Sequence, residues 1–161
     1  GKSTIANLIG RLYDVSGGDI LIDDKEISTL NLNDLRKNIG YVPQEGFLFS
    51  EDIQNNIAFG QDDIDEKQII EAAKNARVHE NIMSFPKGYA TKVGERGVTL
   101  SGGQKQRVSI ARAILGHPNI LIFDDCLSAV DVETEEKILK NFYKRYKILQ
   151  KKSSSCMTLK S

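Results

Sequence analysis

The residues Ile120-Leu121-Ile122-Phe123 form an unbroken apolar run that ends abruptly in Asp124-Asp125. A half-exposed strand alternates apolar and polar positions, whereas a continuous short run of this kind is the pattern of a strand buried on both faces. Such a strand needs helices around it, and helical periods are present. Apolar residues at Ile5, Leu8, Ile9 and Leu12 recur at helical spacing between Ile5 and Tyr13, directly after Gly1-Lys2-Ser3-Thr4. Ile64 to Val78 places Ile64, Ile69, Ala72, Ala73 and Ala76 on one face, with acidic residues near its start. A third helix is expected from Gly102 to Leu115, with Ser101 as its N-cap and Gly116 and Pro118 marking its end. Between the helices lie short strands. Ile20-Leu21-Ile22 is bounded by Ser16-Gly17-Gly18-Asp19 and Asp23-Asp24, and Ile39-Gly40-Tyr41-Val42 is stopped by Pro43, which leaves Gln44 at a strand's carboxyl end. Strands alternating with helices imply an α/β fold around a mostly parallel sheet.

Composition narrows the function classes. A length of 161 residues suits one domain, and 40% hydrophobic with 27% charged residues is the profile of a packed globular chain. No apolar run approaches the roughly 20 residues that cross a bilayer. Basic and acidic residues number 22 each, so no global charge draws the chain to nucleic acid. The balance is uneven: eight basic and no acidic residues fall between Lys137 and Ser161, leaving 14 basic against 22 acidic before them. Cys126 and Cys156 are too few for a disulfide framework or a metal cluster, which fits a reducing, cytoplasmic setting, and Cys126 is expected to pack in the core. His79 reads as a solvated helix-end residue and His117 as a turn residue, neither with ligand-spaced partners.

Three segments carry chemistry. Gly1-Lys2-Ser3-Thr4 before a helix matches the last half of the phosphate-binding loop G-x-x-x-x-G-K-[ST], although alone it is equally an ordinary helix start. Asp124, at the end of the apolar strand, places a carboxylate where it can hold a magnesium ion bridging terminal phosphates; in isolation it is only a capped core strand. The decisive string is Leu100-Ser101-Gly102-Gly103-Gln104, continued by Lys105-Gln106-Arg107 and Ala111-Arg112-Ala113. A specified five-residue string arises by chance on the order of once in a million positions. A serine and two glycines at a helix start expose N–H groups without side-chain obstruction and form an anion site strengthened by the helix dipole.

From Gly1 to about Phe142 the sequence resembles the nucleotide-binding domain of ABC transporters. Val42-Pro43-Gln44 resembles the glutamine loop, Leu100 to Gln104 the signature motif, Ile120 to Asp124 the Walker B strand, and Ser128-Ala129-Val130-Asp131 the loop after it. Phe47-Leu48-Phe49-Ser50, Asn56-Ile57, Phe85-Pro86-Lys87-Gly88-Tyr89 and Thr91 to Gly97 further resemble exporters whose transmembrane and ATPase parts share one polypeptide. The resemblance implies a P-loop NTPase (RecA-like) core over residues 1–45 and 116–142, an inserted α-helical subdomain over 46–115, and an atypical basic tail over 143–161. It also implies a chain truncated at both ends.

The same resemblance assigns roles. Gly1, Lys2, Ser3 and Thr4 would cradle the phosphates of ATP, with Lys2 neutralising the β- and γ-phosphates and Thr4 supporting the α-phosphate. Ser3, Gln44 and Asp124 would hold Mg2+, and Gln44 would also sense the attacking water. Ser101, Gly102 and Gly103 would contact the γ-phosphate of ATP bound by a second, head-to-tail nucleotide-binding domain, and Gln104 would belong to the same nucleotide-binding set. Asp131 would reach across that interface, and Glu95 with Phe47 to Phe49 would face a transmembrane domain, holding the assembly at the cytoplasmic face of the membrane. No nucleic acid partner is implied for an exporter. The rival readings are a soluble cassette ATPase acting on DNA or ribosomes, against which Val93 to Gly97 argues, and a non-catalytic, nucleotide-regulated module.

Two departures from the family pattern stand out. Asp125 occupies the position where the family usually has a glutamate that polarises the attacking water; one methylene less predicts a slow or inactive site. That combination of weak base and intact signature resembles one half of a heterodimeric exporter, with a homodimer as the alternative. At the carboxyl end no histidine follows His117. Ile138, Phe142, Tyr146 and Leu149 are spaced to prolong one amphipathic helix, and the basic, serine-rich tail reads as a frameshift or fragment end more than as a lipid-docking device.

Overall fold

The computed structural model describes residues 2–94, 97–143, 147–149 and 155–159. Gly1, Glu95 and Tyr146 lie outside them, as do the side chains of Lys2 and Leu149. In chain order the elements are α1 (Lys2–Ile9), β1 (Leu21–Ile22), β2 (Lys25–Glu26), α2 (Leu32–Lys37), β3 (Ile39–Val42), α3 (Ile53–Ala58), α4 (Glu66–Asn75), α5 (His79–Met83), α6 (Gly102–Leu115), β4 (Ile120–Asp124), α7 (Val132–Tyr143), β5 (Lys147–Leu149) and β6 (Ser155–Leu159).

Strand β4 is the centre of the molecule, and every one of its residues is buried. On one edge it pairs in parallel with β3, in the register Ile39↔Ile120 to Val42↔Phe123. On the other edge β6 runs antiparallel to it, and β5 completes the order β3-β4-β6-β5. The amphipathic helix expected to reach Leu149 therefore ends at Tyr143, and 147–149 is a strand. Ile138 and Phe142 are buried, and the Phe142 ring stacks 5.6 Å from Phe123, so both are engaged by the core rather than by a longer helix. Beyond them, the unpaired N–H and C=O groups along β4 are satisfied by β6.

Helix α1 packs through Ala6 on Ile120 and Ile122. It ends at Ile9 instead of continuing to Tyr13, because Arg11 turns into the left-handed region at φ 47° and Leu12 N–H bonds back to the Asn7 carbonyl at 2.9 Å. Arg36 of α2 then donates to the carbonyls of Gly10 (3.2 Å) and Arg11 (2.9 Å). Since Arg36 lies just ahead of β3, the carboxyl end of α1 sits at the start of the strands and its amino end points toward their carboxyl ends. Asp23 and Asp24, both at positive φ (49° and 61°), form the two-residue turn of the β1–β2 hairpin.

Helices α3 and α4 pack on α6, which in turn packs on β3. The expected boundaries of α6 are found to the residue, with Ser101 and Gln104 closing a capping box. Another box, formed by Asp65 and Gln68, starts α4. The buried side of α6 reaches β3 only because Gly40 has no side chain: a Cβ there would stand 2.4 Å from the Ala113 carbonyl oxygen and 2.6 Å from Leu121 Cδ2. Gly40→Ala is expected to lower the unfolding free energy by about 1–3 kcal/mol, the usual range for overpacking. Gly17→Ala, where a Cβ meets nothing within 4 Å, should change it by less than about 0.5 kcal/mol. Urea unfolding of the two variants checks the contrast.

Candidate functional site

The parallel register puts the carboxyl ends of β3 and β4 side by side, so Gln44 and the Asp124-Asp125 pair emerge at the same edge of the sheet. In parallel α/β sheets this is the edge where ligands bind. The amino end of α1, with Ser3 and Thr4 exposed, is directed to that edge. A helix amino end of this kind favours an anion through the helix dipole.

Asp124 is 8% exposed, and its Oδ2 accepts a hydrogen bond from the Tyr41 hydroxyl at 3.2 Å. Burial, then the Asp124 charge, raise the Tyr41 phenol above its ordinary value of 10.0. The hydroxyl is thus a proton donor throughout the neutral range, and its hold on the carboxylate would be lost only as alkaline pH rises through the raised value. Ser3 hydroxyl, Gln44 amide and Asp124 carboxylate are all oxygen donors, the set that suits magnesium, which takes one or two carboxylates and completes its shell with phosphate and water. Among the described residues no group of three or more His, Cys, Asp or Glu forms a self-sufficient metal cage. Asp125 is exposed and adopts φ 51°, a left-handed conformation that aspartate tolerates better than most residues.

The first turn of α6 lies against both loops. A Cβ on Gly103 would come within 2.8 Å of the Ala129 carbonyl oxygen, and one on Gly102 would reach 4.0 Å from the Ala129 Cβ. The glycines thus admit the chain after β4 to the helix tip. Ser101 and Gly102 are exposed; the Ser101 hydroxyl accepts from Gln104 N–H at 3.2 Å, and the Gln104 side chain accepts from Ser101 N–H at 2.9 Å. Gln104 therefore closes the cap. Asp131 is held below the usual carboxylate range, first by the Thr134 N–H, which donates to it at 2.9 Å, with Arg107 a smaller influence. Arg107 itself donates to Asn81 Oδ1 at 3.0 Å.

Four residues named in the sequence only as members of a strand or motif take specific roles in the structure. Tyr41 holds Asp124, and the buried Gln106 donates through Nε2 to the Gln44 carbonyl. Arg112 donates to the carbonyls of Asn56 (2.7 Å) and Phe47 (3.0 Å) and to Asn56 Oδ1 (3.1 Å), and lies over the Phe49 and Phe59 rings at 5.6 and 5.8 Å. Asn56, fully buried, both donates to and accepts from the Phe49 backbone. The available signal was a polar side chain on the apolar face of a helix. His79 also differs from expectation: its Nδ1 is 2.9 Å from the Tyr89 hydroxyl, and burial helps push that phenol up to about 12. Cys126 is 1% exposed, as core packing requires.

The ABC transporter family model matches residues 1–128. The chain belongs to the ABC transporter family. It is 56% identical over 138 residues to YgaD of Bacillus subtilis (strain 168), provisionally named a multidrug export ATP-binding/permease protein; this covers 86% of the chain and 24% of YgaD. It is 46% identical over 141 residues to the mitochondrial iron-sulfur clusters transporter ATM1 of Gibberella zeae (strain ATCC MYA-4620 / CBS 123657 / FGSC 9075 / NRRL 31084 / PH-1), covering 88% of the chain and 20% of that protein. Among solved structures it superposes on a bacterial Atm1-family ABC exporter with ATP bound, with TM-score 0.84 and 46% identity over 89% of this chain and 25% of that one. The chain thus spans about a quarter or less of the length of these relatives. This ABC domain has the P-loop NTPase fold, and nucleotide binding comes with the family. Among its described residues no helix is long and apolar enough to cross a membrane.

The capping box makes a separable test of the α6 tip in this ABC domain. Ser101→Ala should cost about 1 kcal/mol of stability, whereas Ser101→Asp, which keeps an accepting oxygen at the N-cap, should stay within about 0.5 kcal/mol of wild type. Thermal unfolding of both variants measures the difference.

Proposed function

We propose that this chain is the ATP-binding and ATP-hydrolysing domain of an ABC exporter, acting in a head-to-tail pair of such domains and coupling ATP turnover to substrate movement across a membrane. The observation that carries the reading is the string Leu100 to Gln104 folded as an exposed, capped amino end of a long helix, beside the loops that bear Gln44 and Asp124. An anion cradle turned outward serves a phosphate held by another chain. The names of the relatives, a multidrug export protein and an iron-sulfur clusters transporter, support export as the class of work.

In this reading Lys2 neutralises the β- and γ-phosphates, Thr4 steadies the α-phosphate, and Gly1 lines the loop. Ser3, Gln44 and Asp124 hold magnesium, which when bound neutralises charge on the terminal phosphates. Ser101, Gly102 and Gly103 offer N–H groups and a hydroxyl to the γ-phosphate of the partner's ATP, with Gln104 keeping the tip closed. Residues 46–115 act as the helical subdomain, and Phe47, which is 63% exposed, faces a transmembrane domain at the cytoplasmic side of the membrane. Asp125 is the base for the attacking water. Being one methylene short, it makes this site the slower of a pair, and this is the one feature favouring a second reading as a nucleotide-regulated, non-hydrolysing module.

The test is Asp125→Glu in the intact transporter. ATP turnover at this chain's own site, followed with the partner's site disabled, should rise roughly ten- to a hundredfold, the scale on which a misplacement of about 1 Å acts. Unchanged turnover would mean that Asp125 is not what limits the site. Absence of turnover in both forms would favour the regulatory module.

A further inference from the structure

Gln106 is 3% exposed, in the second turn of α6, where an aliphatic side chain would fill the same space. Its Oε1 is buried without a hydrogen-bond partner, so the amide is retained at an energetic cost. Only its other half is used: Nε2 donates to the Gln44 carbonyl, 62 residues earlier in the chain. Two further ties join the same loop to the same helix. Gly46 lies so close that a Cβ would stand 2.9 Å from the Lys105 carbonyl carbon and oxygen, and Arg112 donates to the Phe47 carbonyl at 3.0 Å. Residues 44–47 are therefore fastened along α6 from its second turn toward its carboxyl end.

We propose that Gln106 is a positioning residue: by fastening the Gln44 backbone to α6 it fixes where the Gln44 side chain stands. The inference rests on the exporter reading above. Of the three ties, Gln106 is the one whose polarity has no other use: Arg112 also holds Asn56, and Gly46 acts by lacking a side chain. Gln106 touches no phosphate in this scheme. It acts through the backbone of Gln44.

Gln106→Met keeps the volume and removes the donor. In the intact transporter it should lower kcat for ATP at least fivefold and leave KM within twofold. In a Gln44→Ala background the same substitution should lower kcat by less than twofold further, because the residue it positions has already lost its side chain. Amide exchange over residues 44–47 should quicken in Gln106→Met while exchange in the second half of α6 stays unchanged. An undiminished kcat in the single variant, losses that multiply in the double variant, or unaltered exchange at 44–47 would each overturn the proposal. If the wild-type transporter hydrolyses no ATP, the exporter reading fails by itself, and exchange at 44–47 still decides whether Gln106 makes the tie.

Discussion

The close approach of α6 to β3 at Gly40 is the contact on which the rest depends. It brings a 14-residue helix, about 21 Å long, against the edge of a sheet whose central strand is wholly buried. With that contact made, the amino end of α6 comes to lie beside the loops that leave β3 and β4, and the helix also receives α3 and α4. A side chain at position 40 would push helix and strand apart and shift Ser101, Gln44 and Asp124 relative to one another. Phosphate chemistry of the kind proposed tolerates little of that, since it works by positioning charged and dipolar groups and not by covalent steps.

Much of this architecture was legible in the amino-acid order, for physical reasons. The apolar run Ile120 to Phe123 could hardly be anything but a doubly covered strand, and Ser101 with Gly116 marks both ends of α6 through capping chemistry that acts over a few residues. The motif residues Gln44, Ser101 and Asp124 stand at strand and helix ends, where local signals are strongest. What escaped notice is held by long-range contacts. Tyr41 reads as an ordinary strand aromatic until β4 places Asp124 beside its hydroxyl. Gln106, Asn56 and Arg112 stand in motif segments with no role of their own legible there, yet each is withdrawn from solvent and bonded to a segment distant in sequence or to a loop backbone. The carboxyl-terminal region misled for a related reason: helical spacing persists from Ile138 to Leu149, but pairing of 155–159 with β4 and of 147–149 with 155–159, which no local pattern encodes, makes both segments strands.

Arg112 illustrates how the same helix serves a second surface, away from the Ser101 tip. Burial lowers its affinity for the proton, and its charge is met by carbonyl oxygens, an amide oxygen and two aromatic faces. The rings of Phe47, Phe49 and Phe59 are arranged by this core, with Phe49 and Phe59 stacked at 4.1 Å and Phe47 edge-on to Phe49 at 5.0 Å. Phe47 and Phe59 remain largely exposed, an apolar face set on a rigid polar base. One helix thus carries the capped Ser101 tip at one end and supports an aromatic surface toward the other.

The central claim is that the Ser101 end of α6 meets nucleotide held by a second domain. A structure of the intact transporter with magnesium and ATP bound measures this directly, through the distance from the Ser101 hydroxyl to the γ-phosphate held by the partner domain. The expected result is hydrogen-bond contact between the two. A Ser101 end turned away from the partner's nucleotide would contradict it.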